Sequence, residues 1–512
     1  MGLGCTLAVG LHGVDGFVVR VEADISSGLP AFLVTGRADT ACAQAHGRVR
    51  AAAANSGHPM PQRKITVNLS PASVPKVGSG FDLGIAIAAL AANDVVPRHV
   101  VSDVVHLGEL GLDGSVRPVP GVLPLTVAAA RGGARHVVVP SAAAAEARLV
   151  HGVKVHGVAH LAELVRRYRA LGDGCPVAEV PDPPMSAPAH PRTPDLADVI
   201  GQAEARLALE IAAAGGHHVF LVGPPGGGKS MLAERLPGLL PELTDQQALE
   251  VTAIQSVLGT LDRYDSLCRR PPFVAPHHGA SVAALIGGGS AGVRPGAVTA
   301  AHHGVLFLDE APEFRASALQ ALRQPIESGS VVVARAVGQF RFPCEFQLVL
   351  AANPCPCGMG FGKGLSCSCS PHQVRSYAGR LSGPILDRVD IQVQVPAPSR
   401  SVLTGVGGES TATVATRVSA AREVQRHRWG SQWGSLNARV PGPVLRRSPW
   451  RLPNGLTTDL DRAIDRGVLS LRGYDRCLRL AWTIADLAGR TRPCRDDVGL
   501  ALSLRHRAAA AA

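Results

Sequence analysis

The chain has 512 residues, of which 46% are hydrophobic and 18% are charged, and its formal net charge is +11. That length is too great for one ordinary hydrophobic core, so we expect two or three domains. No apolar run reaches the ~18 residues that a membrane span needs, and the N-terminus lacks the basic and apolar regions of an export signal. Eleven cysteines, an odd number, favour a reducing cytoplasm over a disulfide framework.

The positive charge is concentrated near the C-terminus. Residues 400–512 contain 19 arginines against 9 acidic residues, which accounts for nearly all of the net charge. Such clustering favours a polyanionic partner, nucleic acid first. A solvated helical surface, with arginines that serve nucleotide and subunit contacts, is an equally weighted alternative.

Residues 1–172 are expected to form one unit, followed by a linker. Strand-like runs at 17–21, 65–69 and 136–139 alternate with helical stretches at 81–92 and 124–131. Seven prolines then occur between residues 175 and 195. Because that density excludes a helix or a central strand, residues 173–195 are predicted to be an extended linker.

Residues 196–397 alternate strands and helices again, which predicts a parallel α/β sheet covered on both faces. An apolar run at 218–222 and a helix-compatible stretch at 231–236 flank a glycine-rich segment. The segment consists of Gly223, Pro224, Pro225, Gly226, Gly227, Gly228, Lys229 and Ser230. Glycines let successive backbone N–H groups point at the phosphates of a nucleotide, Lys229 would neutralise phosphate charge, and Ser230 would hold Mg²⁺. Without the flanking strand and helix, a chance glycine-rich turn would explain the pattern.

A second apolar run, at 304–308, ends in Asp309 and Glu310. In nucleotide hydrolases an acid at the end of a neighbouring strand completes the Mg²⁺ shell, and a following glutamate polarises the attacking water. A strand end at the surface would explain the two acids if they stood alone. Together with the glycine-rich segment, they predict an Mg-ATP site.

Three further elements of this unit are candidates for a functional role: a strand end, a β-hairpin and the end of a helical stretch. A third strand, 346–350, leads to Asn353, where a polar side chain can contact the γ-phosphate or the attacking water, as in ring ATPases. Residues 329–342 are predicted to be a β-hairpin that contains Arg335. The segment 380–388 ends a helical stretch, and an arginine there can reach the nucleotide of a neighbouring subunit.

Four cysteines lie in a predicted insertion at residues 353–372. They are Cys355, Cys357, Cys367 and Cys369, arranged as two C-x-C pairs that nine residues separate. Four thiolates from one loop can close a tetrahedral Zn²⁺ site, with His372 or Cys344 as substitute ligands. Reduced free thiols in a loop and a redox pair are the alternatives.

The last predicted unit, residues 398–512, has helical periodicity and no convincing strand. Arg472, Arg476 and Arg479 are spaced i, i+4, i+7 on a predicted helix, 470–486, so they share one face. In the preceding unit, the adjacent histidines at 277–278 and 302–303 are expected to point in different directions. We therefore expect these pairs to shape their segment of the chain and not to bind a metal.

The order of these motifs and the residues in them resemble those of the magnesium-chelatase-like AAA+ ATPases of the ComM (YifB) group. The segments that carry the resemblance are 272–279, 285–289, 295–296, 301–310, 353–358 and 381–391. The resemblance extends nearly from end to end. It implies an AAA+ core at 196–397, a helical lid at 398–512 and assembly into a homo-hexameric ring.

The resemblance also implies roles for individual residues. Arg388 is expected to be the arginine finger that acts on a neighbouring subunit, and the hairpin around Arg335 is expected to be a pore element that faces DNA. The second sensor would be an arginine of the helix at 470–486. Arg479 is favoured because it directly precedes the apolar segment that would pack the lid, while Arg472 and Arg476 would form a solvated or DNA-facing stripe.

The N-terminal unit resembles the Lon-protease-like domain, an α+β fold of the ribosomal S5 domain 2 type. Asp82 stands where the protease carries its nucleophilic serine, and Leu123 stands where the lysine should be. A Ser–Lys dyad needs both a nucleophile and a base. We therefore expect no proteolysis, since Ser79 and Lys76 nearby are only a weak substitute.

These expectations combine into one function. The sequence predicts an ATP-hydrolysing ring motor on single-stranded or branched DNA, which the resemblance narrows to a helicase or branch-migration factor in recombination or natural transformation. The alternative is a chelatase-like or chaperone-like ATPase that remodels a protein partner. ATP and Mg²⁺ are the expected cofactors, Zn²⁺ is the candidate structural metal, and no membrane association is expected.

Overall fold

The computed structural model describes residues 2–173, 194–261, 266–289, 293–335, 338–361, 366–381, 383–397, 407–430 and 435–506. The predicted linker at 173–195 lies almost wholly outside these residues. The mixed α/β fold class is confirmed, with one mixed sheet, one parallel sheet and a helical C-terminal part.

The N-terminal unit contains nine strands and seven helices among the described residues. The strands are Gly4–His12 (β1), Asp15–Ser26 (β2), Ala31–Thr35 (β3), Lys64–Ser70 (β4), Val104–His106 (β5), Glu109–Leu110 (β6), Val116–Arg117 (β7), His136–Pro140 (β8) and Lys154–Val158 (β9). The helices are Thr40–Ala43 (α1), Ala45–Asn55 (α2), Asp82–Ala92 (α3), Arg98–Val101 (α4), Val122–Arg131 (α5), Ala144–Ala147 (α6) and Leu161–Gly172 (α7).

Seven of these strands form one sheet in the order β3-β4-β2-β1-β5-β8-β9. β1 pairs antiparallel with β2 and parallel with β5, so the sheet is mixed. Every residue of α3 is buried, because this Ala-, Ile- and Leu-rich helix packs on β1 and β2. The helix therefore forms the centre of the N-terminal hydrophobic core.

The second unit is built on a five-stranded parallel sheet. Its strands are Val219–Val222 (β10), Phe273–Val274 (β11), Val305–Leu308 (β14), Gln347–Ala352 (β17) and Ile391–Gln394 (β18), and the sheet order is β11-β14-β17-β10-β18. Short strands Gly287–Gly288 (β12) and Arg294–Pro295 (β13) pair with each other, as do Ser330–Arg335 (β15) and Gly338–Pro343 (β16). The second pair is the predicted hairpin.

One helix of this unit precedes β10, and the others follow β10 in the chain and lie between strands. The helices are Ala203–Gly215 (α8), Lys229–Leu239 (α9), Asp245–Leu258 (α10), Val282–Ile286 (α11), Ala297–Ala300 (α12), Ala316–Ala321 (α13), Arg323–Ser328 (α14), Pro371–Arg380 (α15) and Gly383–Leu386 (α16). α10 begins with a capping box in which Thr244 and Gln247 satisfy each other's backbone N–H groups. α9 extends the stretch predicted at 231–236 by two residues at its start and three at its end.

Alternating residues of the parallel strands face two different cores, as expected for a sheet covered on both sides. Val219, Leu221 and Phe307 pack in one core with α8 and α9. Phe220 and Leu306 pack in the other, together with residues of the hairpin. Because all five strands are parallel, their carboxyl ends meet at one edge of the sheet and their amino ends at the opposite edge.

The C-terminal part is helical, as predicted. Its helices are Thr411–Trp429 (α17), Gly442–Leu445 (α18), Asn454–Asp465 (α19), Leu471–Leu487 (α20) and Arg495–His506 (α21). These helices share a hydrophobic core with one face of the parallel sheet, so Trp482 of α20 is buried in the same cluster as Val219 of β10. The lid therefore packs against the sheet.

Among the described residues, the N-terminal unit contacts the second unit at α10 and at the hairpin. The backbone N–H of Gly121 donates to Ser256 O at 3.2 Å, and the Ser256 hydroxyl donates to the buried Glu146 carboxylate. The ring of His12 stacks on Phe340 of the hairpin with centroids 4.4 Å apart. The hairpin is thus held against the N-terminal unit.

Among the described helices, none combines the length and the apolar character that would let it cross a bilayer.

Candidate nucleotide-binding site

The glycine-rich segment joins the carboxyl end of β10 to the first residue of α9. Gly226 and Gly228 have φ values of +73° and +87°, a region that glycine adopts without strain. A Cβ on Gly223 would lie 2.1 Å from Val395 O, so only glycine fits beside β18 there. The loop therefore curls at the start of a helix, where backbone N–H groups and the helix dipole favour an anion.

Lys229 is the first residue of α9, and its ammonium group lies within this loop. Nζ donates to the carbonyl oxygens of Gly223 and Pro224 at 2.8 and 2.9 Å, and to Oδ1 of Asn353 at 3.0 Å. Burial lowers the pKa of Lys229 from its usual 10.5, and the charge of Asp309 opposes that shift. The structure therefore brings together the lysine of the loop and the predicted sensor at the end of β17.

The predicted Mg²⁺ ligands are also adjacent. The Ser230 hydroxyl donates to Oδ2 of Asp309 at 2.7 Å, and the other oxygen, Oδ1, accepts from the N–H of Glu310 at 2.9 Å. The contact follows from the sheet order, because only β17 separates β10 from β14. A hydroxyl beside a carboxylate is the oxygen donor set that Mg²⁺ takes in phosphate-binding loops.

Glu310 has an unusual backbone and a partner that the sequence did not predict. Its φ is +49°, a left-handed conformation that is uncommon outside glycine. Its carboxylate oxygen Oε2 lies 3.2 Å from Nδ1 of His278. His278 follows β11, which pairs in parallel with β14, so their carboxyl ends adjoin. This contact places His278 beside Glu310. It was not predicted from the sequence, because the histidine pairs were expected only to shape their segment of the chain.

The four cysteines of the predicted cluster are close together. Their Sγ atoms all lie within 4.8 Å of one another, and Cys355 Sγ is 3.4 Å from that of Cys357. A hydrogen bond from the Met359 N–H lowers the pKa of Cys357 to about 6, whereas burial raises the pKa of Cys355 to about 12. The group can hold a metal ion. His372 and Cys344 are not members of the group.

The prediction that His302 and His303 diverge is wrong. Their Nε2 atoms lie 3.3 and 3.0 Å from the same oxygen of Glu250. Nδ1 of His302 accepts from the Glu345 N–H at 3.0 Å, which places the proton of a neutral ring on Nε2, where it is donated to Glu250. Burial lowers the pKa of His302 to about 4, so the ring is neutral near pH 7. The three side chains therefore form a hydrogen-bonded cluster, whose ligand atoms lie within 4.8 Å of one another and could also hold a metal ion.

The predicted arginines lie at the opposite edge of the parallel sheet. They line a cleft of about 1080 Å³ beside His218, Gly304 and Gln347, which mark the amino ends of β10, β14 and β17. We call this the arginine cleft, and its arginines are Arg388, Arg422, Arg439, Arg472, Arg476 and Arg479. The structure thus brings the candidate finger and sensors together, but not with the phosphate loop of the same chain.

The arginines of the cleft differ in their contacts. Arg388 lies 2.5 Å from the carboxylate of Glu327. Arg476 forms an ion pair with the buried Asp390, and Arg479 donates through Nε to Val440 O at 2.7 Å. Arg472 is exposed. Two of the three arginines on α20 are therefore committed to contacts within this chain, which the spacing of the residues could not predict.

The residues at the former protease positions are structural. Asp82 is fully buried and accepts from Arg48 at 2.6 and 2.9 Å. Leu123 is also fully buried. Ser79 donates to Glu109, and Lys76 donates to Pro71 O, so each of the two side chains binds a residue other than its candidate dyad partner. The lack of proteolysis stays a prediction.

Comparison with known families places magnesium-chelatase sequences along almost the whole chain. The family described as "Magnesium chelatase, subunit ChlI" matches residues 195–403. "Subunit ChlI of Mg-chelatase" matches residues 21–143, and "Magnesium chelatase, subunit ChlI C-terminal" matches residues 408–505. The three matches follow the order of the three units in the structure.

Individual proteins are similar over nearly their full length. An uncharacterised protein of Mycobacterium tuberculosis is 49% identical over 506 residues, which cover 99% of each chain. Protein YifB of Escherichia coli is 41% identical over 93% of this chain and 91% of its own. Competence protein ComM of Haemophilus influenzae is 39% identical over 96% of this chain and 95% of its own. Lon protease 2 of Bacillus subtilis is 28% identical over 153 residues, 29% of this chain and 27% of that protein.

Proposed function

Because the chain belongs to the ComM (YifB) family of magnesium-chelatase-like AAA+ ATPases, we propose that it is a ring motor that couples ATP hydrolysis to movement along DNA. The Haemophilus relative is a competence protein by its name. That name supports a role for this chain as a helicase or branch-migration factor in recombination or natural transformation.

The carboxyl edge of the parallel sheet would bind Mg-ATP. Lys229 and the backbone N–H groups of residues 226–230 would contact the phosphates, and Ser230 with Asp309 would hold Mg²⁺, which neutralises charge on the phosphates. Glu310 would orient the attacking water, and Asn353 would contact the γ-phosphate. Their adjacency at one sheet edge supports these roles.

The position of the arginine cleft carries the proposal of a ring. Arg388 and Arg479 lie at the amino edge of the sheet, whereas Lys229 lies at the carboxyl edge. A strand of four residues is about 13 Å long, so these arginines lie too far across the sheet to reach their own phosphate loop. A head-to-tail ring of identical subunits brings the amino edge of one copy to the carboxyl edge of the next. We propose six copies, with Arg388 as the finger and Arg479 as the second sensor.

The hairpin of β15 and β16 would be the part of the motor that contacts DNA. Arg335 ends β15 and is exposed, which suits contact with a phosphate backbone. The surplus of arginine in the last fifth of the chain adds positive charge for a polyanionic partner. A single strand or a branched junction is the expected substrate.

We propose Zn²⁺ as the metal of the cysteine group, because four thiolates with no oxygen or nitrogen ligand favour Zn²⁺ over Mg²⁺. The ten cysteines that the structure describes are all free thiols. Such thiols suit a reducing compartment, so we place the protein in the cytoplasm.

The alternative partner is a protein, which the same motor would remodel as a chelatase-like or chaperone-like ATPase. The shared architecture with magnesium chelatase supports this second candidate. Stimulation of ATP hydrolysis separates the two, since only the first candidate responds to DNA alone.

The experiment is an ATPase assay with and without single-stranded and branched DNA, at several salt concentrations. We expect stimulation by DNA that falls steeply with salt, because phosphate contacts release counterions. We also expect Lys229→Ala and Arg388→Ala each to abolish it. A rate that no DNA changes would overturn the DNA motor and direct the search to protein partners.

A further inference from the structure

The four-cysteine group lies in a segment that packs directly on the ATP site. We propose that a Zn²⁺ ion bound by this group positions the ATP site, by holding the segment against the phosphate loop. The segment, here named the cysteine loop, comprises residues 354–361 and 366–370. The inference rests on the proposed nucleotide site but not on DNA as the substrate.

The distances between the thiols fit a closed metal site. With Zn–S bonds of ~2.3 Å, the sulfur atoms of a tetrahedral Cys₄ site lie about 3.8 Å apart. Sγ of Cys367 lies 3.7 Å from that of Cys355 and 3.7 Å from that of Cys357. A disulfide would need ~2.05 Å, so these thiols are spaced as ligands and not as cystines.

The loop is shaped around the sulfur atoms. The Gly360 N–H donates to Cys355 Sγ at 3.1 Å, and a Cβ on Gly360 would lie 3.0 Å from the same atom. A backbone N–H that donates to a ligand sulfur is the kind of outer contact that orients metal ligands. The turn is closed by the Gly358 N–H, which donates to Cys355 O at 3.0 Å.

Gly358 is the point at which the cysteine loop meets the phosphate loop. It has a φ of +77°, and a Cβ built on it would lie 2.6 Å from the ring of Pro225. Because no side chain fits between them, the backbone of the cysteine loop rests on the phosphate loop. A displacement of one loop is therefore transmitted to the other.

The loop is connected at both ends to groups that we place in the reaction. At its start, Asn353 precedes Cys355 by two residues and binds Lys229. At its end, Ser370 follows Cys369 and caps α15. Arg380, at the end of α15, lies 3.1 Å from Glu313, three residues after Glu310. One ion would thus fix the sensor, the phosphate loop and the helix beside Glu310 relative to one another.

The test compares two kinds of variant of the full chain, assayed without DNA. Cys367→Ser removes a ligand, and we expect it to lose about one Zn²⁺ per chain by elemental analysis. Gly358→Ala keeps all four ligands but places a methyl group against Pro225, and we expect it to retain Zn²⁺. In both variants we expect kcat for ATP hydrolysis to fall about tenfold or more, because small displacements of reacting groups cost rate.

Cys494→Ser is the matched control, since Cys494 lies in the C-terminal part and outside the group. It should keep both its metal and its kcat. Circular dichroism and the affinity for a fluorescent ATP analogue show whether a variant is folded and binds nucleotide, and we expect affinity to change less than about threefold, since the effect is on positioning.

Three results would overturn the inference. The wild-type protein could bind no Zn²⁺ even when Zn²⁺ and a reductant are supplied. Cys367→Ser could lose the metal and keep its kcat. Gly358→Ala could keep both the metal and its kcat, which would show that contact with Pro225 has no effect. A lack of DNA stimulation alone would defeat only the DNA motor.

Discussion

The two edges of the parallel sheet carry complementary groups. At the carboxyl edge, the phosphate loop, Ser230, Asp309 and Asn353 form the site that we propose for a nucleotide and its cation. At the amino edge, six arginines line one cleft together with acidic residues of the second unit and the lid. The first edge offers an anion site that has no arginine from the cleft, and the second offers cations without a phosphate loop.

If the proposed ring forms, this difference makes ATP hydrolysis depend on assembly, because each complete site then needs groups from two subunits. The parallel strands fix the two edges on opposite sides of the subunit, so no rotation of a side chain can join them. A second copy can join them if its amino edge faces the first copy's carboxyl edge. Single substitutions at either edge test whether the groups of the two edges have the separate roles that we propose, beginning with the largest expected effect.

Arg388→Ala should have the largest effect on rate. If Arg388 stabilises transition-state charge in a neighbour's site, its loss should lower kcat by about 10³-fold, the lower end for arginine fingers. Nucleotide affinity should change little, because the phosphate loop is intact. Arg462→Ala is the control, as Arg462 is an exposed arginine of α19 that is paired with Asp459 and does not line the cleft. Equal losses in both variants would contradict a special role for Arg388.

Arg476→Ala should mainly lower stability. Asp390 is 1% exposed, and removal of its partner should cost about 3–5 kcal/mol of the free energy of unfolding. Burial alone raises the pKa of Asp390, but Arg476 and His217 together hold it well below 3.8. This stabilisation is therefore present above pH ~4 and is lost as the pH falls further, since the unfolded state then binds the proton first. Denaturant unfolding of wild type and variant across that pH range would measure this stabilisation. Identical unfolding curves at pH 7 would contradict a stabilising role for the ion pair of Arg476 and Asp390.

Asn353→Ala should lower kcat by about 10²-fold, the loss typical of one preorganised donor to developing charge. Steady-state kinetics would measure it, with affinity for an ATP analogue as the companion measurement. Asn353→Gln tests whether the amide or its position matters. A parallel loss of affinity would instead indicate that Asn353 serves mainly to hold Lys229.

His278→Ala should have the smallest effect, a rise in the DNA-free ATPase rate of about two- to fivefold. The contact between His278 and Glu310 is half exposed, and such pairs contribute at most about 1 kcal/mol. Loss of the contact frees the carboxylate that we expect to orient water. His277→Ala is the control, since the ring of His277 is tilted against that of His278 and its Nδ1 accepts from the Gly279 N–H. A lower rate would mean that His278 holds Glu310 in its active position.

Local signals made much of the carboxyl edge and the hairpin of β15 and β16 predictable. The phosphate loop, Asp309 and the hairpin each depend on short stretches whose glycines, strand ends and alternation are visible in the sequence. β1 was not predicted, because it lies inside a sheet and its residues show no clean alternation.

Predictions that depended on contacts distant in the sequence were less complete. The spacing of Arg472, Arg476 and Arg479 placed them on one face, but Asp390, which binds Arg476, lies 86 residues away. The prediction that His302 and His303 point in different directions was wrong because His303 has a φ of +56°. The chain therefore turns, and both rings reach Glu250. A left-handed residue other than glycine has no reliable sequence signal.

The most direct test mixes two inactive subunits. The Lys229→Ala subunit keeps the arginine cleft, and the Arg388→Ala subunit keeps the phosphate loop. A mixed ring therefore regains a complete site wherever the arginine cleft of a Lys229→Ala subunit faces the phosphate loop of an Arg388→Ala subunit. We predict that even mixing restores ATPase activity to about a quarter of wild type, the share of such interfaces in a random ring. Co-purification through two affinity tags would establish that mixed assemblies had formed. Mixed assemblies as inactive as either variant alone would contradict a site shared between subunits.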